Sequence, residues 1–266
     1  MGCFMALSSG GMALGTGTAS LYSGMDGAFI GAAVVAVVTL LAWIFLMRDK
    51  KEQDGTAEEK VSLAEGLKVA LKSRTVWTSA LSMALTCAAF TATANFLPAC
   101  LTERGIEEGA ANVVTMALTL GNLAGCLCSP AVFRRFKKQY PFFFIHGIVA
   151  AFGMFFAWRL SDDPVVLFIM MFLTGMGCNG FAPILMSMPV QDEKIGTKFG
   201  GTAGGLLATL QLGGAVIIPT YIIAPIATQA DGTANYPLMF TLFGICILCF
   251  MVVAFFLPDK KGSQKG

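Results

Sequence analysis

Eight long apolar runs alternate with short polar segments along this chain. They span residues 4–22, 27–47, 76–101, 112–133, 142–160, 165–188, 199–227 and 238–257. Each is about 20 residues or longer, enough at 1.5 Å rise per residue to cross a hydrocarbon core of about 30 Å. The pattern predicts an all-α membrane protein of eight transmembrane helices. The connections after 101, 133, 160, 188 and 227 are short, which makes successive helices antiparallel neighbours. One connection is long. Residues 48–60 (RDKKEQDGTAEEK) are charged and contain no run able to bury itself, so they read as a solvated linker. Residues 61–73 (VSLAEGLKVALKS) follow, with Leu63, Leu67, Ala70 and Leu71 on one helical face and Glu65, Lys68 and Lys72 elsewhere. They predict a short amphipathic helix lying along the membrane interface. The chain therefore divides into two helices (1–47), a linker with its amphipathic helix (48–74), a six-helix bundle (75–258) and a polar tail (259–266).

Charge fixes the expected orientation. Only 13% of the 266 residues are charged, against about 25% in soluble domains. Eight crossings put seven basic residues of 48–74, four of 134–138, Lys194, Lys198, Lys260, Lys261 and Lys265 on one side. The other side receives Arg104 and Arg159, with Asp26, Glu103, Glu107, Glu108, Asp162, Asp163 and Asp231. Positively charged loops stay cytoplasmic, so both termini are expected inside, in a multi-pass protein of the inner or plasma membrane. The basic residues follow loop topology, and no nucleic-acid surface is expected. The first apolar run has no basic lead-in, so no cleavable signal peptide is expected.

The spans hold little reactive chemistry. No metal-ligand cluster, nucleophile–base pair or phosphate loop is present, so no catalytic residue, cofactor or enzymatic activity is expected. Cys246 and Cys249 have redox spacing but fall mid-span without a βαβ context, and the eight cysteines read as small packing residues. His146, the single histidine, has no intramembrane acid beside it and reads as a packing or interface residue. The polar side chains that remain are Asn95, Asn122, Asn179 and Gln211. An unpaired amide in hydrocarbon costs about 2–7 kcal/mol, so each must face another helix or water. Two uses fit: hydrogen bonds between helices, or the lining of a cavity for a polar solute. Asn122 and Gln211 fall near mid-membrane and are expected to share one cavity. Glycines recur at close-packing spacing in Gly11-xxx-Gly15, Gly27-xxx-Gly31, Gly121-xxx-Gly125 and Gly201-xxx-Gly205. Gly175, Gly177 and Gly180 near Pro183 mark the sixth span as the expected bending element.

Residues 10–21 (GGMALGTGTASL) weakly repeat residues 200–210 (GGTAGGLLATL), each followed by an acidic loop and a very apolar helix. Internal repeats of this kind accompany transporters whose halves rock against each other. The segment Gly121-Asn-Leu-Ala-Gly125, followed by Ser129-Pro130 and Arg134-Arg135-Phe-Lys-Lys, resembles the second copy of the signature loop of the major facilitator superfamily. An acidic residue usual in the stronger first copy is missing. Pro183 onward, with its Pro-Val-Gln-Asp-Glu-Lys turn and Gly-Thr-Ala-Gly-Gly helix, resembles that family's helices ten and eleven. Gly11-Met-Ala-Leu-Gly15 and Gly27-Ala-Phe-Ile resemble its helices five and six.

The resemblance implies a complete C-terminal six-helix bundle in an otherwise incomplete fold, with counterparts of helices five to twelve and none of helices one to four. It implies secondary transport of a small solute by alternating access, with the lipid bilayer and a missing N-terminal four-helix segment as partners. It also gives Gly121, Gly125, Arg134, Arg135, Gly177 and Pro183 conformational roles. A fragment, a misplaced start and one part of a split transporter all fit the missing helices, and on these readings the chain alone is expected to give no saturable uptake. Asn95-Phe-Leu-Pro98 with Gly105 resembles members that move small or organic anions, although the six spans carry no mid-span Lys or Arg. A channel-like or scaffolding membrane protein is the alternative.

The charge asymmetry yields a direct test. A cysteine placed at Lys137 should resist an impermeant maleimide in intact cells and label after permeabilisation. Labelling in intact cells would overturn the orientation.

Overall fold

A computed structural model describes residues 10–11, 15, 25–46, 62–136, 138–196, 198–229 and 232–258. The helices are α1 (Met25–Leu46), α2 (Leu63–Lys72), α3 (Arg74–Glu103), α4 (Glu108–Phe133), α5 (Gln139–Phe155), α6 (Pro164–Cys178), α7 (Ala182–Ser187), α8 (Gly200–Ile217), α9 (Ala224–Ala227) and α10 (Tyr236–Phe255). Short 3-10 turns extend α5 at Ala157–Arg159 and α7 at Pro189–Gln191, and a π-helical segment, Ile218–Ile223, joins α8 to α9. Among the described residues there is no β-strand, only one bridge between Thr228 and Ala234. Among the described residues six spans are long and apolar enough to cross a membrane: Arg74–Glu103, Glu108–Phe133, Gln139–Arg159, Pro164–Gln191, Gly200–Ala227 and Tyr236–Phe255. They are the six helices expected for 75–258. The chain is an all-α membrane protein. Within α1, Phe29–Ala42 forms a further apolar stretch.

Local sequence explains the helix boundaries. Ser73 caps α3, its Oγ accepting from Val76 N at 3.4 Å. Asp163 caps α6 through Val165 N at 2.9 Å, with Pro164 in the first turn. Asn235 caps α10 through Leu238 N at 3.1 Å. These side chains satisfy N–H groups that a helix start leaves unpaired. Gly105, at φ 88°, turns the chain sharply after α3 in a conformation that side chains resist.

Packing orders the bundle. α3 lies between α4, α8 and α10, and α6 packs on α4 and α5. α10 closes the bundle against α3 and α5. At its centre Phe143, Phe181 and Phe250 meet, Phe181 and Phe250 stacked at 4.9 Å between ring centroids. Toward the other end Trp158 stacks on Phe240 at 4.8 Å. Outward-facing side chains such as Leu127, Ile148, Ile169, Leu212 and Val252 are exposed, as lipid contact requires. α1 exposes Phe29, Ile30, Val35, Ile44 and Phe45.

The amphipathic helix forms at the expected place but docks differently from the sequence reading. Gly66 and Ala70 are buried, and a Cβ at Gly66 would collide with Thr202 of α8. Leu63, Leu67 and Leu71 remain exposed. Small residues allow the closest approach to the bundle, so they take the inner face and leave the leucines to the interface. The linker 47–61, most of the first expected span and the tail 259–266 lie outside the described residues. Of the first span, Gly10, Gly11 and Gly15 are described as helical, and a side chain at Gly10 would sit 3.2 Å from Leu123 Cδ1 of α4.

The glycines of the four small-residue motifs are not equivalent. Any Cβ at Gly121 would run into the backbone of Phe172, and one at Gly125 into Gly180 Cα at 2.6 Å. From the other side, a Cβ at Gly175 would strike Leu118 O. α4 and α6 thus touch backbone to backbone. A Cβ added at Gly11, Gly15, Gly201 or Gly205 would meet no atom within 4 Å. Overpacking costs about 1–3 kcal/mol, and more where backbone must move. Gly121→Ala or Gly175→Ala should lower the melting temperature in detergent by several degrees, and Gly205→Ala should not. Equal melting of all three variants would refute this close contact.

Candidate functional site

The polar side chains of the spans fall into two groups. The first lies on α3 and α8. Cys87, Thr91 and Asn95 follow one another at i, i+4 and i+8, one file along α3. Thr91 Oγ1 donates to Cys87 O at 2.8 Å. Gln211 of α8 is half-buried and hydrogen-bonds the Cys87 side chain. Asn95 is exposed on the C-terminal half of α3. Gly214 brings the helices together here, since a Cβ on it would overlap Ala84.

The second group lies between α4 and α6. Asn122 is 3% exposed, and Cys126 Sγ donates to its Oδ1 at 3.7 Å. Asn179 is 8% exposed, and its Oδ1 has no hydrogen-bond partner. It sits where the sixth span breaks. α6 ends at Cys178, Asn179 takes φ −135° and ψ 0°, and α7 begins at Ala182. Pro183 has no N–H to offer Asn179 O, which accepts from Ala182 N at 3.0 Å instead. Ile184 N turns to Phe181 O at 2.9 Å, and Ser129 Oγ of α4 donates to Gly180 O at 2.9 Å. A neighbouring helix thereby satisfies a carbonyl freed by the break, as lipid surroundings demand. Across the break, Cys178 Sγ lies 3.5 Å from Thr86 O of α3. Ser82, one turn before Thr86, is fully buried with its Oγ unpartnered.

α3 packs against both α4 and α8. Gln211 joins Cys87 and the α3 file, and Asn122 is enclosed between α4 and α6. The residues given conformational roles separate. Gly121 and Gly125 form the tight α4–α6 seam, and Gly177 packs against the α5 backbone at His146 and Ala150. Pro183 is buried in α7, at the break. Arg134 and Arg135 are exposed beyond α4. His146 lies between Phe142 and Phe181, with ring centroids at 4.2 and 5.7 Å. Among the described residues no three His, Cys, Asp or Glu side chains come close enough to hold a metal ion.

Two loop contacts were not legible from charge counting. Arg104, after α3, donates to Trp158 O, to Ser161 O at 3.3 Å and to the Asp162 carboxylate. It ties the α3–α4 turn to the α5–α6 turn. At the opposite end, Asp192 accepts from Ser73 Oγ at 3.0 Å and from Lys194 N at 3.1 Å. The same Ser73 caps α3, so the loop after α7 is linked to the start of α3.

Comparison with known proteins decides the family. A model of the Major Facilitator Superfamily matches residues 1–219. The chain belongs to this superfamily. The superfamily's members are membrane transporters rather than enzymes, and the six described spans fit it. A relative from Archaeoglobus fulgidus, itself an uncharacterized protein, is 24% identical over 185 residues, covering 70% of this chain and 83% of that protein.

Asp192 supplies a pH test. Burial works against its charge, but hydrogen bonds from Lys194 N, Thr75 and Ser73, with the Lys194 charge, hold its carboxyl below the usual range. A depressed folded-state pKa contributes stability that is complete above the unfolded value, about 3.9, and disappears as pH falls through the folded one. Loss of the hydrogen bonds to this largely exposed carboxylate costs about 1 kcal/mol, or about 2–4 °C in Tm. Asp192→Asn should lower Tm by that amount at pH 7 and flatten the loss below pH 4. An unchanged melting profile would contradict the contact.

Proposed function

We propose that this chain works in secondary transport of a small polar solute, an organic or inorganic anion among them, by alternating access. The solute-facing surface is the α3 file of Thr91 and Asn95 with Gln211 of α8. The observation that carries the reading is the pairing of superfamily membership with this file, in which amides and a hydroxyl stand in otherwise apolar spans. Pockets for small molecules are largely apolar and place a few polar groups for orientation. Asn95 and Gln211 each offer amide donors to an anionic or carbonyl oxygen. A solute on this face needs an opposing wall, which a second helical bundle supplies.

The break at Asn179–Phe181 supports the moving part of the proposal. A span interrupted by Pro183, with carbonyls shared with α4, changes its angle at lower cost than a continuous helix. Gly121 and Gly125 provide the close seam along which it turns. The excess of basic residues on the linker side supports cytoplasmic placement of that linker, of Arg134 and Arg135, and of both termini.

The test is solute binding to purified protein. Among a panel of small organic and inorganic anions and their neutral analogues, one class should raise the melting temperature saturably. Asn95→Ala and Gln211→Ala should each weaken that binding about tenfold, the loss of one hydrogen bond to a charged group. Stabilisation that survives both substitutions unchanged would remove the solute site from this face.

A further inference from the structure

Nearer the start of α3 the structure holds an apolar groove of about 530 Å³ between α3, α8 and α10. Its wall is apolar: Trp77, Leu81, Ala84, Leu210, Val253 and Phe256. It runs from Arg74, at the first residue of α3, to Ala84, ten residues farther in. At 1.5 Å per residue that depth is about 15 Å, half of a hydrocarbon core of about 30 Å. The groove therefore begins at the membrane surface and ends near the bilayer midplane. It is open to the side, with Trp77, Leu81 and Phe256 each about half exposed.

Charge at the mouth is one-sided. Arg74 is exposed, its guanidinium carbon 5.9 Å from the Phe256 ring centroid, and among the described residues no carboxylate lies within ion-pair distance. The nearby Asp192 is occupied by Ser73 and Lys194 N. Lys68 and Lys72 stand on α2, directly before α3. Trp77 is anchored at the same level, its indole Nε1 donating to Leu71 O at 2.8 Å. The indole at this depth is a usual interfacial marker.

We infer that this groove is a binding site for one anionic phospholipid of the linker-side leaflet. One acyl chain lies along Trp77, Leu81, Ala84 and Leu210, and the phosphate pairs with Arg74. An acyl chain matches both the apolar wall and the one-leaflet depth. A guanidinium at the rim selects a phosphate by paired N–H donors, and a headgroup with net negative charge over a zwitterionic one. The α2 lysines add attraction for an anionic surface. The site is separate from the α3 file proposed to face solute, and it does not depend on that proposal.

Fluorescence quenching tests it. The protein carries three tryptophans, and Trp43→Phe with Trp158→Phe leaves Trp77 as the reporter. The variant is reconstituted in vesicles of zwitterionic phosphatidylcholine with increasing fractions of either 9,10-dibrominated phosphatidylglycerol or 9,10-dibrominated phosphatidylcholine. Trp77 should be quenched at a severalfold lower fraction of the brominated anionic lipid. Arg74→Gln should abolish that preference, and Arg74→Lys should retain part of it. Val253→Phe, which narrows the groove from α10 with Arg74 intact, should reduce quenching by both lipids. Equal quenching by the two lipids, or a preference that survives Arg74→Gln, would overturn the site. Trp77 inaccessible to both lipids would show that protein covers the groove, and would overturn it equally.

Discussion

The α4–α6 contact constrains the rest of the bundle. Gly121, Gly125 and Gly175 let two helices meet at their backbones, where a single Cβ would collide with a carbonyl or Cα. In lipid the hydrophobic effect gives helices little reason to associate, and close packing with interhelical hydrogen bonds takes its place. Once α4 and α6 are in contact, the break after Cys178 becomes tolerable, because Ser129 on α4 reaches Gly180 O. The sixth span can then carry Asn179 and Pro183 without leaving every freed backbone group unsatisfied. The kink, the buried amides and the position of Phe181 in the aromatic core all follow from that seam.

α3 organises the other side. Its face toward α4 and the sixth span bears hydroxyls and sulfur partners, with Thr86 beside Cys178 and Ser79 beside Met188. Its face toward α8 bears Cys87, Thr91 and Asn95. Its outer flank toward α10 is the apolar groove capped by Arg74. One helix thus faces protein, the proposed solute path and the proposed lipid groove. The Ser73–Asp192 and Arg104–Asp162 contacts fix its two ends to loops of the sixth and fifth spans. The loop after the sixth span is therefore tied to the start of the helix that carries the polar file.

Much of the architecture was legible because lipid imposes simple rules. Run length gave the six spans of the bundle, and 61–73 gave α2. Gly175, Gly180 and Pro183 gave the position of the break. The site was less legible. The amides stood out as costly, but burial cost alone does not say which interface each one joins, and so Asn122 and Gln211 were expected together. Contact across helices adds that Asn122 lies beside Gly175 of α6 and that Gln211 bonds Cys87 of α3. The i, i+4, i+8 spacing of Cys87, Thr91 and Asn95 was present in the sequence, yet only the amide drew notice. Gly201 and Gly205 share the spacing of Gly121 and Gly125 without their packing, since a motif fixes a small-residue face and not its partner.

The central claim is that the α3 file faces a cavity reached alternately from the two sides of the membrane. Its most direct test is a single cysteine at Thr91, with the native cysteines replaced, labelled by impermeant maleimide in sealed right-side-out and inside-out vesicles. The account predicts labelling in both orientations, with bound solute slowing one rate and the other alike or shifting their ratio. Labelling from one side alone under every condition, or from neither, would contradict it.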